Sequence, residues 1–215
     1  MDLDQLVLNS MRQRRELEAA GYYFLGDIDD QSAQRFSESL LLMAIARRAD
    51  PSSPITVYIN SGGGSVGSGI AIMEMIYKTR ADYGVTINTV VTGFAYSMGA
   101  IVFQAGDRRL MGSYSTLMLH SPQWFIAGSD QRIFTDYAVL ADHYKNLVAN
   151  LFAQRTGKHD STWWLEFIYS GRDRFLTARE CIDLGLADGL YDKQELLPPP
   201  PVPGAGITPP PTSDL

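Results

Sequence analysis

Two hydrophobic periods alternate along the chain. Short runs at Tyr22-Tyr23-Phe24-Leu25, Ile55-Thr56-Val57-Tyr58-Ile59 and Val85-Thr86-Ile87-Asn88-Thr89-Val90-Val91 are rich in β-branched and aromatic residues and read as strands. Between them the apolar positions follow the helical repeat. Phe36, Leu40, Met43 and Ala44 fall on one face of a helix over about Gln31 to Arg48. The carboxylates of Gly26-Asp27-Ile28-Asp29-Asp30 are natural N-caps for it, and Asp50-Pro51-Ser52-Ser53-Pro54 ends it. Val66, Ile70, Met73 and Tyr77 mark a second helix, and a third spans Met98 to Gln104. Strand, turn and helix in alternation predict an α/β fold with a parallel sheet.

The longest periodic stretch runs from Asp130 to Thr156, where Ile133, Tyr137, Leu140, Tyr144, Leu147 and Leu151 recur at spacings of four and three. Phe134, Val148 and Phe152 widen its apolar surface, so this helix needs a partner, either its own sheet or a second subunit. Leu117-Met118-Leu119 reads as a further strand, and Thr177-Ala178-Arg179-Glu180 as a capping box opening a short helix that ends at Gly185. Three units follow. Residues 1–20 form a polar helical arm, 21–192 one domain, and 193–215 a proline-rich tail that is extended and disordered.

Composition narrows the function. The net charge of −6 and the lack of a basic tract argue against nucleic acid as a partner. No apolar run approaches a membrane span, and the start carries no charged and apolar leader, so the expectation is a cytoplasmic protein. Cys181 is the single cysteine, which excludes disulfide frameworks and cysteine-rich metal sites; beside Ile182 and Leu184 it reads as a buried small hydrophobe.

Candidate chemistry sits at strand ends. Gly93-Phe94-Ala95-Tyr96-Ser97-Met98-Gly99-Ala100 places a serine where a strand turns directly into a helix, beside unpaired N–H groups that suit an oxyanion. Serines in small-residue turns are also common punctuation between strand and helix. Asn60-Ser61-Gly62-Gly63-Gly64-Ser65 allows close backbone approach to a ligand, yet lacks the Lys-Ser/Thr of a phosphate loop and alone reads equally as a tight turn. His120 ends the Leu117-Met118-Leu119 strand, as either a structural or a catalytic histidine. Asp173, between Arg172 and Arg174, is either a surface ion pair or the group that orients a histidine; His143 and His159 read as structural or solvated.

Together, Asn60-Ser61-Gly62-Gly63-Gly64-Ser65-Val66, Ala95-Tyr96-Ser97-Met98-Gly99-Ala100, Leu119-His120-Ser121-Pro122 and Arg172-Asp173-Arg174-Phe175-Leu176 resemble the Clp protease proteolytic subunit (ClpP) family. Phe24-Leu25-Gly26-Asp27-Ile28-Asp29-Asp30 and Gly185-Leu186-Ala187-Asp188 are similar to it as well, so the resemblance spans about residues 22–192. It implies the ClpP/crotonase-like superhelix of ββα units, with the helix from Asp130 as a projecting handle. It also implies a serine endopeptidase that hydrolyses peptides or unfolded polypeptides without cofactor or metal. Ser97 falls on the nucleophile, His120 on the general base and Asp173 on the residue that orients it. The N–H groups of Gly64 and Met98 fall on the oxyanion hole. Family members stack heptameric rings into a homo-oligomeric chamber that is served by an AAA+ unfoldase.

The chain departs from the family in places. Gly62-Gly63-Gly64 stands where members usually have Pro-Gly-Gly, the segment from Tyr77 to Val85 is longer than usual, and the Trp163-Trp164 region is expanded. Residues 1–20 do not match the axial-loop sequence that helps receive an unfoldase. Two other functions fit the same fold: a catalytically silent structural subunit of a mixed ring, and a crotonase-type acyl-CoA enzyme, against which the filled Ser97-His120-Asp173 set argues.

Overall fold

The computed structural model describes residues 3–48, 50, 52–121 and 131–191. The proline-rich tail, Asp130 and Pro122 lie outside the described residues. The arm of the sequence reading is helix α1 (Leu3–Ala20), and strand β1 (Tyr22–Leu25) follows it. Helix α2 (Asp30–Ala46) starts where a carboxylate cap was expected. The Asp29 side chain accepts the Ser32 N–H at 2.6 Å while the Asp29 N–H donates to Ser32 Oγ at 2.9 Å. Two otherwise orphaned donors are thereby satisfied. Phe36, Leu40, Met43 and Ala44 are buried, as the spacing requires.

Strand β2 (Ile55–Ser61) leads through the glycine turn into helix α3 (Val66–Tyr83), and strand β3 (Ile87–Tyr96) into the short helix α4 (Met98–Phe103). The buried stripe of α3 is Ile72, Met73 and Ile76; of the predicted set, Val66, Ile70 and Tyr77 are only partly buried. The stripe is displaced because α3 packs on both α2 and α4 and so covers two sides.

The sheet runs β1-β2-β3 and then to two strands not read from the sequence, β4 (Arg109–Met111) and β7 (Gly189–Leu190), all parallel. At Gly93, strand β3 changes partners. Thr89–Val91 pair with β4, whereas Phe94–Tyr96 pair with β5 (Thr116–Leu119). At the fork the Ser115 hydroxyl bridges the strand, accepting the Gly93 N–H at 3.1 Å and donating at 2.9 Å to the Val91 carbonyl, which also accepts from the Gly112 N–H at 3.1 Å. Strand β6 (Arg174–Thr177) then pairs antiparallel with β5.

Helix α5 (Gln131–Thr156) divides along its length and packs on a helix rather than on the sheet. Residues 135–140 are exposed, among them Tyr137, Val139 and Leu140, so this half projects. Val148, Ala149 and Phe152 are buried, and Phe152 stacks on Trp164 of helix α6 (Ser161–Tyr169) at 5.1 Å. Helix α7 (Ala178–Asp183) opens with the predicted Thr177/Glu180 capping box and buries Cys181, whose thiol pKa burial raises.

Arg109, only 6% exposed, is held by both Asp188 oxygens and by Gln104 Oε1, tying β4 to the segment before β7. Burial alone would raise the Asp188 carboxyl; hydrogen bonds from the Arg109 side chain and backbone, with the charges of Arg109 and Arg155, outweigh it and hold the pKa below its ordinary 3.8. A depressed folded-state pKa stabilises fully above the ordinary carboxylate range, and the contribution is lost as pH falls through the folded value. Wild type should therefore lose more stability than Asp188→Asn between neutral pH and about pH 3. At neutral pH Asp188→Asn should already cost about 1–3 kcal/mol, by leaving a buried guanidinium incompletely paired. Urea unfolding at both pH values checks this.

Candidate active site

The site is built where β3 ends. Ser97 has φ 53° and ψ −122°, and it is the one non-glycine residue with positive φ among the described residues. Such a conformation costs about 1–3 kcal/mol and persists only where the surroundings enforce it. Here the Ser97 N–H donates to the Met118 carbonyl of β5 at 2.8 Å, and the Ser97 carbonyl accepts from Ala100 in α4 at 3.0 Å. The turn is locked between a strand and a helix, with the hydroxyl outside both.

His120 follows directly on β5, the strand paired with the end of β3, and its Nε2 lies 2.7 Å from Ser97 Oγ. When Nδ1 carries the ring proton, the serine hydroxyl donates to Nε2. That is the arrangement in which imidazole removes the hydroxyl proton as the oxygen attacks.

The glycine turn lies against this pair. A Cβ on Gly63 would stand 2.7 Å from Ser97 Cβ and 3.1 Å from the Met98 nitrogen; one on Gly64 would stand 2.0 Å from the Ile28 carbonyl oxygen. Both have positive φ, so glycine is required there by space and by conformation. The turn is stitched to Ile28, which donates to the Gly63 carbonyl at 2.8 Å and accepts from Ser65 N–H at 2.8 Å. Among the described residues neither the Gly64 nor the Met98 N–H has an acceptor, which leaves two donors next to Ser97.

Asp173 stands apart. Antiparallel pairing sets Leu119 opposite Arg174, so one step further along both strands brings His120 and Asp173 level. Yet the Asp173 side chain is exposed and forms no hydrogen bond or ion pair with His120 or with either flanking arginine among the described residues. Arg174 instead donates to the Phe167 carbonyl at 3.0 Å and to Ser170 Oγ at 2.9 Å.

A small, largely apolar pocket of about 40 Å³ opens beside the pair, lined by Ser97, Met98 and His120 together with Ile70, Phe152 and Tyr169. The α5–α6 wall was not foreseen as part of the site. Its signal in the sequence was the unexplained Trp163-Trp164 segment, which anchors α6 through the fully buried Trp164. Burial pushes the Tyr169 phenol up to about 12, so it stays neutral and does not compete with His120 as a base. His143 is exposed on α5, and His159 stacks on Trp163 at 3.7 Å, away from the pair. Among the described residues no group of His, Cys, Asp or Glu could hold a metal ion, and no helix is long and apolar enough to cross a membrane.

A hydroxyl, an imidazole and free backbone donors at the carboxyl ends of parallel strands suit attack on an acyl carbon, so the site fits a hydrolase built on a mixed α/β fold. Comparison with known proteins narrows the class. The Clp protease family model matches residues 10–194. The ATP-dependent Clp protease proteolytic subunit 2 of Rhodococcus jostii is 33% identical over 176 residues, covering 79% of this chain and 83% of the relative. The ATP-dependent Clp protease proteolytic subunit of Pleurastrum terricola is 31% identical over 165 residues, 76% and 79% of the two chains, and that of Streptococcus suis 29% over 176 residues, 80% and 84%. The chain belongs to the Clp protease family, and its mixed α/β architecture around a mostly parallel sheet is consistent with the ClpP fold.

Proposed function

We propose that the protein is a serine endopeptidase subunit that cleaves peptides and unfolded polypeptides with Ser97 as nucleophile, His120 as general base and Asp173 as the residue that orients the imidazole. The observation that carries this reading is the 2.7 Å contact between Ser97 Oγ and His120 Nε2 at a strained turn. Attack by Ser97 forms the tetrahedral intermediate, whose oxyanion the Gly64 and Met98 N–H groups receive. His120 takes the hydroxyl proton and passes it to the leaving amine, and water then releases the acyl group by the same route in reverse. The apolar cavity favours an apolar side chain on the acyl side of the cleaved bond.

The working form in this proposal is a cytoplasmic homo-oligomer of stacked heptameric rings, supplied with substrate by an AAA+ ATPase. The exposed apolar residues of α5 and the uncovered Tyr22 and Phe24 support protein contacts at both places. Residues 21–192 form the peptidase domain, 1–20 an arm and 193–215 a tail. The competing reading, a silent structural subunit, draws on the unpaired Asp173. Purified protein given a fluorogenic peptide with an apolar residue before the cleaved bond separates the two. Turnover without any second subunit supports the peptidase, and none over many hours supports the silent subunit.

A further inference from the structure

Three consecutive glycines have no side chains with which to hold their own shape, so a turn of Gly62, Gly63 and Gly64 needs ties from outside. Ile28 supplies two, on either side of Gly64. Ser61 Oγ supplies a third, accepting the Gly63 N–H at 3.0 Å, and a fourth comes from a carboxylate. The Gly62 N–H donates to Asp27 Oδ1 at 2.8 Å, the one hydrogen bond of that side chain among the described residues. A proline at position 62 has no N–H to give, so this bond requires that position 62 be a residue other than proline. Asp27 and Ile28 thus splint the entry, the middle and the exit of the turn, while Gly63 rests on Ser97.

We infer that Asp27 is a positioning residue for the oxyanion hole: through Gly62 N–H its carboxylate fixes the turn that presents the Gly64 N–H to the reacting centre. The inference rests on the peptidase reading above. It assigns to a side chain the restraint that a proline ring supplies by fixing φ. The two devices exclude one another at the hydrogen bond, because proline has no N–H to donate; a Cβ at position 62 would also stand 3.2 Å from Asp27 Oδ1, so the exposed carboxylate would have to give by a few tenths of an ångström.

That exclusion defines the experiment. Asp27→Ala should lower kcat for a fluorogenic peptide about tenfold with KM little changed, less than the ~10²–10³ expected for losing a hole donor outright. The rate of covalent labelling by a fluorophosphonate should fall in parallel. Asp27→Asn keeps an acceptor oxygen and should stay within about threefold of wild type. Gly62→Pro alone should also be slow, having lost the N–H and crowded the carboxylate. Asp27→Ala combined with Gly62→Pro should recover to within about threefold of wild type, a coupling of opposite sign to either single change. Asp27→Ala at wild-type rate, or a double variant no faster than the slower single one, overturns the inference. If Asp27→Ala fails to fold, the comparison of Asp27→Asn with Gly62→Pro carries the test. Ser97→Ala runs alongside: should it still be labelled, the peptidase reading itself fails, whereas loss of its labelling with an unaltered Asp27→Ala removes only the splint.

Discussion

Ser97→Ala should reduce peptide hydrolysis by roughly 10⁴-fold or more and abolish fluorophosphonate labelling, while circular dichroism and oligomeric state stay as in wild type. Retention of the fold follows from the backbone. The strain at φ 53° arises between Cβ and the main chain, and alanine carries the same Cβ, so the energy of the turn does not change. The hydrogen bonds that enforce the turn use the Ser97 N–H and carbonyl, which alanine keeps. Glycine at the same position makes the sharper test. It relieves strain of about 1–3 kcal/mol at an entropic cost of about 0.5–1, so Ser97→Gly should be inactive yet about 1 kcal/mol more stable. A stabilised, dead variant is the signature of a turn kept strained to present a hydroxyl. An equally stable or weaker Ser97→Gly would mean that the φ value is no burden, and labelling of Ser97→Ala would remove it as nucleophile.

The elements that form by local rules were legible in the sequence. The Asp29 cap, the Thr177 capping box and the α2 face need only near neighbours, and all stand where spacing put them. What escaped depends on distant partners. Strands β4 and β7 are three and two residues long, too short to carry a period, and exist because they pair with β3 and with each other. Helix α6 is nearly apolar throughout, from Trp163 to Tyr169, so it shows composition without a readable face until it packs on α5. Of the candidate site, the placing of Ser97 and His120 at neighbouring strand ends was visible in order and spacing. The Asp27 tie was not, because Asp27 and Gly62 are 35 residues apart and nothing in either segment points to the other.

Asp173→Asn should lower kcat by about 10³–10⁴, with little change in KM, if the carboxylate orients His120 in the working enzyme. The strand register sets where it starts from. The ladder ends at the Leu119–Arg174 pair, and continuing its register one step brings His120 and Asp173 level. On the proposed reading, the Asp173 carboxylate reaches Nδ1 in the working enzyme by a rearrangement of this strand end. Arg174 is already tied to the Phe167 carbonyl and Ser170 in α6 and the turn after it, and α6 packs on α5, whose residues 135–140 are exposed. A partner packed against the exposed residues of α5 thus bears on the segment that carries Asp173, and alignment is expected to strengthen with assembly. The measurement is kcat of wild type and Asp173→Asn on either side of the assembly midpoint. The ratio should widen as the proposed assembly forms, and a ratio below about threefold throughout would leave Ser97 and His120 working as a pair, with Asp173 a solvated surface group.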